Sequence, residues 1–179
     1  MNRRNVLIET NIRWLQQAVR LLERIDDVAF ATSPQGMAPH RAGAHLRHIV
    51  EFYQAFLEGI DSYHIDYDAR RRDPEIERSR KTASDAIAAV IRELRTCPAL
   101  TLHRNAIVWV RIEDEPAGAT QEPFIRSSIG RELQMLSSHT IHHFALIAMT
   151  LRLHGIEMDP DFGMAPSTLR YQATRAEAA

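Results

Sequence analysis

Cysteine is almost absent from this chain. One residue in 179, Cys97, leaves no partner for an internal disulfide and no paired-thiol motif for a metal or a redox couple. A reducing, cytoplasmic setting fits such usage. An excess of either charge is missing too, since 22 Lys and Arg face 23 Asp and Glu for a formal net charge of -1. That balance excludes the electrostatic footprint of a nucleic-acid binder. No uncharged apolar run approaches the length of a membrane span, and Val6-Leu7-Ile8 breaks at Glu9, too early for the core of a signal peptide. Neither a Gly-rich phosphate loop nor a Gly-x-Ser-x-Gly elbow occurs, and no repeat or low-complexity tract is found. What is present, at 45% hydrophobic residues, suffices to bury the core of a single domain over residues 1–179.

Helical periodicity dominates. Leu7, Ile12, Leu15, Val19 and Leu22 predict a first helix from Val6 to Ile25, followed by a breaker-rich connection over residues 32–39. A second helix, from Ala42 to Asp61, carries Leu46, Ile49, Val50, Tyr53, Leu57 and Ile60 on one stripe, with His45, His48, Phe52 and Phe56 along its flank. After a polar segment from Tyr63 to Asp73, Asp73-Pro74-Glu75 reads as the N-cap, first-turn proline and acidic first turn of a third helix bounded by Pro98. The β-branched run from Ala106 to Ile112 and the stretch Phe124-Ile125-Arg126 predict a short β-hairpin across a turn from Glu113 to Glu122. A fourth helix is expected from Ile129, behind a Ser127-Ser128 cap, to His154, with Gly155 as its stop. Phe162, Met164, Leu169 and Tyr171 should dock a tail that frays from Thr174. The predicted fold class is all-α, a four-helix bundle with a short hairpin between its third and fourth helices.

The chemistry lies in the histidines. His139 and His143, in the run His139-Thr140-Ile141-His142-His143, are four residues apart, about 400° around a helix, so both point to nearly the same side. That spacing lets both coordinate one ion. The stripe around them is otherwise apolar, with Met135, Leu136, Leu146, Ile147 and Leu151, and imidazoles facing a core need partners. His45 or His48 of the second helix would complete a three-histidine face with open positions, as catalytic sites require. Glu51, one turn beyond His48, and Glu132, two turns before His139, are candidate catalytic residues that orient imidazoles or shuttle protons. His142 sits about 100° from His143 and reads as a boundary residue, and His40, His64, His103 and His154 read as ordinary surface histidines. The run Tyr67-Asp68-Ala69-Arg70-Arg71-Arg72-Asp73 reads as a solvated connection, with capture of an anionic group by guanidinium forks as its alternative. Cys97 lacks the surroundings of an activated thiol, and Trp14 and Trp109 read as packing or interface residues.

Taken together, the four helices, Ala44-His45-Leu46-Arg47-His48-Ile49-Val50-Glu51 on the second and the His-x-x-His-His block on the fourth resemble the DinB-like (DinB/YfiT-like) superfamily of metalloenzymes over nearly the whole chain. The resemblance implies His48, His139 and His143 as ligands, because the family's helix-two histidine is usually followed by an apolar pair and an acidic residue, as in Ile49-Val50-Glu51. It also implies a divalent cofactor such as zinc, nickel or iron, a homodimer, and chemistry of the thiol-dependent S-transferase or isomerase kind. Two departures stand out. Phe144-Ala145-Leu146 replaces the Arg-Gly-Gln that often continues the family's block, and the second catalytic domain of the related sulfoxide synthases is not found.

The expected function is that of a metalloenzyme that activates water or a low-molecular-weight thiol for attack on a small-molecule electrophile, a hydrolase or thiol S-transferase. Its rival is a non-catalytic helical bundle with a structural or vestigial metal site. Metal affinity should fall as pH drops through the histidine range.

Overall fold

The computed structural model describes residues 3–102, 106–111 and 124–177. Within them the chain is mostly helical, with a small three-stranded sheet. Four long helices carry the core: α1 (Arg3–Arg24), α3 (Ala42–Ile60), α5 (Arg80–Thr96) and α7 (Ile129–Leu153). Around α1 to α7 stand the short helices α2 (Asp27–Ala31), α4 (Pro74–Arg78) and α6 (Pro98–Leu102), and α8 (Pro166–Glu177) ends the described chain. α3 packs on both α5 and α7, and α1 packs on the same two helices. Leu15, Ile49, Tyr53, Phe56, Ile87, Leu136 and Phe144 are fully buried where those helices meet. Each such side chain contributes about 1.5–3 kcal/mol of burial free energy. Phe52 and Phe56, expected on a flank, are both buried, Phe52 against Tyr67 and against His139 of α7.

Capping chemistry places the helix starts. The Asp73 carboxylate accepts from the Glu75 N–H, and Ser128 Oγ accepts from the Arg131 N–H at the head of α7. The predicted third helix is broken at Ser79, whose extended backbone and side chain cap a new helix, α5. The break frees Arg80 to donate to the carbonyls of Leu22 and Ile25 at the end of α1 and to pair with Asp27. Gly155, at φ +77°, stops α7 as expected.

The hairpin forms as β2 (Ile107–Arg111) antiparallel to β3 (Ile125–Ser128), with Trp109 opposite Arg126. The segment read as merely polar contains a further strand, β1 (His64–Asp66), which pairs parallel with β2 through Ile65 and Val110. Three residues are too few to show strand alternation. Gly59 makes the approach possible, since a Cβ there would lie 2.3 Å from the His64 carbonyl oxygen. The tail docks through Phe162, stacked 4.8 Å from Phe144, while Tyr171 lies exposed on α8. α8 runs on through Thr174, where fraying was expected. The expected turn from Glu113 to Glu122 and His103 fall outside the described residues. Among the described residues no helix is long and apolar enough to cross a membrane.

Candidate metal centre

The face of α3 bearing His48 meets the face of α7 bearing His139 and His143. One ring nitrogen from each of the three lies within 4.8 Å of the others. The ring centroids are 4.9 Å apart for His48 and His139, 4.6 Å for His48 and His143, and 4.5 Å for His139 and His143. All three rings are half-buried. Beside them, Tyr53 donates to Asn11 Oδ1 and meets the Thr140 hydroxyl, while the Asn11 amide donates to the Leu133 carbonyl. This buried chain ties α1, α3 and α7 together one residue from His139, which holds the histidine faces in register.

Burial sets the protonation state. It pushes His48 down to about 3, reinforced by His139, Arg70 and Arg47. Burial likewise lowers His139 to about 4, with help from His142 and Arg70, and His143 to about 3, with help from the other imidazoles. All three are neutral at physiological pH, each with a lone pair to offer. His139 Nε2 is buried without a hydrogen-bond partner. Leaving such an atom unsatisfied typically costs about 1–3 kcal/mol, and a cation would relieve it. The donor set therefore fits a divalent ion.

His48 belongs to the cluster, whereas His45 Nδ1 lies 3.1 Å from His143 Nδ1. One of those two nitrogens carries the proton, and with it on His143 Nδ1 the Nε2 atom of His143 keeps its lone pair for a ligand. A partner at the far nitrogen fixes ring orientation and tautomer. His40, expected as an ordinary surface residue, stacks 5.9 Å from His45, and His142, read as a boundary residue, is exposed with its ring 5.1 Å from that of His143.

Glu51 and Glu132 are buried, but their hydrogen bonds go elsewhere. Glu51 Oε1 accepts the Asp73 N–H at 2.6 Å, while Oε2 lies 3.8 Å from Arg47. Glu132 accepts from the hydroxyls of Tyr67 at 3.0 Å and Ser127 at 2.5 Å. Burial and the adjacent Glu132 carboxylate raise the Tyr67 hydroxyl, so it stays protonated and donates. Both carboxylates thereby brace the segment between β1 and α4.

Sequence reasoning missed the centre's aromatic floor. The Phe52 ring lies 4.2 Å from His139, 4.7 Å from His48 and 5.0 Å from Tyr67, with the Arg70 guanidinium 4.3 Å away. The spacing of His48 and Phe52, one helical turn, was the available signal for the first contact; nothing local pointed to Tyr67. A surface groove of about 700 Å³ between α1 and α5, lined by Val19, Arg20, Ala88, Ile91 and Arg92 among others, holds none of the histidines.

No family model and no solved structure matches the chain. Among curated proteins it is similar to FK506-binding protein 5 of Rhizopus delemar, at 30% identity over 107 residues. The match covers 60% of this chain, which spans only 27% of that relative's length.

Proposed function

We propose that this chain is a metalloenzyme of the DinB-like four-helix-bundle type, in which His48, His139 and His143 hold zinc, nickel or iron. The observation that carries the reading is the convergence of three neutral imidazoles from two helices, one with a buried, unpartnered nitrogen. When bound, a divalent ion supplies Lewis acidity that lowers the pKa of a water or a low-molecular-weight thiol, as a hydrolase or thiol S-transferase requires. The half-buried rings favour a site open to a small molecule over a closed structural one. His45 holds the His143 tautomer, and the Phe52 ring keeps water from one side of His139. The test is the metal content of the purified chain, with about one divalent ion per chain expected and metal-dependent turnover of an electrophile in the presence of a thiol or water. Less than a tenth of an ion after incubation with zinc, nickel and iron would overturn the reading.

The same proposal includes a homodimer. Ile107 and Trp109, two residues apart on β2, show 44% and 42% exposure on one face, and β3 lies at the sheet edge. Light scattering at micromolar concentration should give twice the 20.4 kDa chain mass, and Trp109→Glu should shift the population to monomer. A monomeric wild-type chain contradicts the expectation.

A further inference from the structure

We propose that Arg70 anchors an oxyanion, the carboxylate or phosphate group of a small molecule handled beside the three histidines. The inference rests on the metal-site reading for the identity of its neighbour, while the anchor itself stands on the geometry of Arg70.

Arg70 lies in the segment between β1 and α4, and that segment is pinned on both sides. Tyr67 donates to Glu132, and the Asp73 N–H donates to Glu51. The guanidinium carbon sits 4.3 Å from the centroid of Phe52, the ring that also packs against His139 and His48. Guanidinium and imidazoles therefore pack against the same aromatic ring. The positive charge of Arg70 acts on both His48 and His139, which places the guanidinium within electrostatic reach of the cluster.

Three of the arginines nearby are committed elsewhere, and Arg72 is exposed to solvent. Arg41 and Arg47 pair with Glu77, and Arg71 pairs with Glu58. Among the described residues Arg70 has no ion pair, and its Nε is buried without a hydrogen-bond partner. Of the two carboxylates close enough to feel its charge, Glu51 already accepts from Asp73, and Asp68 Oδ2 is itself buried and unpartnered. A half-buried guanidinium, stacked on an aromatic face and lacking a partner carboxylate, presents a fork whose geometry matches a planar or tetrahedral oxyanion.

The experiment titrates the full chain, metal-free and with one equivalent of zinc, with succinate, inorganic phosphate and neutral succinamide, following the histidine ring signals by NMR. Saturable shifts with an anion, and none with succinamide, are expected in the wild type. Arg70→Gln should weaken anion binding at least tenfold, Arg70→Lys should restore part of it, and Arg72→Gln, two residues along, should leave it unchanged. The tighter of succinate and phosphate identifies the group. Equal anion affinity in wild type and Arg70→Gln, with both chains folded by circular dichroism, overturns the anchor and assigns Arg70 to packing on Phe52 or to Asp68. Zinc failing to bind would sink the metal reading alone, because the metal-free titration still reports on Arg70.

Discussion

Replacing His48, His139 or His143 with Ala is expected to lower metal affinity by at least about a hundredfold, more than loss of an outer partner typically costs. Each of the three supplies one of the clustered nitrogens, and removing one leaves two imidazoles that solvent must supplement. His45→Ala should act differently. It removes only the 3.1 Å contact to His143, so affinity should fall by roughly 10–100-fold while stoichiometry is retained at high metal concentration. His142→Ala, an exposed change, should stay within a few-fold of wild type. Competition against a chromophoric chelator measures all five variants on one scale. Equal affinity in His139→Ala, His143→Ala and His142→Ala would refute the ligand set, and an empty His45→Ala beside a full His48→Ala would reassign the α3 ligand.

The second large effect is on stability against pH, and its window differs from that of ordinary histidines. In the unfolded chain these side chains titrate near 6.5, but the folded values lie at about 3 for His48 and His143 and about 4 for His139. Between those limits the unfolded chain binds more protons, so acid favours unfolding. Stability of the metal-free chain should be full above pH 6.5 and fall progressively as pH drops towards 4 and 3. Metal competes with protons on the folded chain only near those lower values, so the gap between metal-bound and metal-free melting temperatures should persist at pH 5 and close below it. Metal at a hundred times its Kd stabilises by about 2.7 kcal/mol, which corresponds to roughly 5–11 °C for a chain of this size. Thermal melts from pH 7.5 to 3.5, with and without zinc, read both trends. A gap that has closed by pH 5 would mean the imidazoles titrate as solvent-exposed groups and that their burial is not maintained.

Local pattern revealed most of the helical frame because its information is local. The extent of α3 follows from apolar periodicity, that of α7 also from its Ser128 cap and Gly155 stop, and the i,i+4 pair His139 and His143 follows from helix geometry alone. Even the hairpin of β2 and β3 was visible in β-branched composition. The break at Ser79 was not. Its reason lies on another helix, in the α1 carbonyls that Arg80 reaches.

The sequence by itself thus determined that two imidazoles share one side of a long helix and that two more stand on another helix, because helical spacing places side chains without knowledge of any neighbour. Only the tertiary structure decided which of those two joins them. The way α3 lies against α7 brings His48 into the cluster and leaves His45 as a partner of His143. It also buried β1 against α3 and carried Tyr67 and Arg70, from a stretch that reads as solvated loop, to the Phe52 ring beside the histidines. Those contacts depend on packing between segments distant in sequence, and residue type along one segment does not encode which surface it will meet.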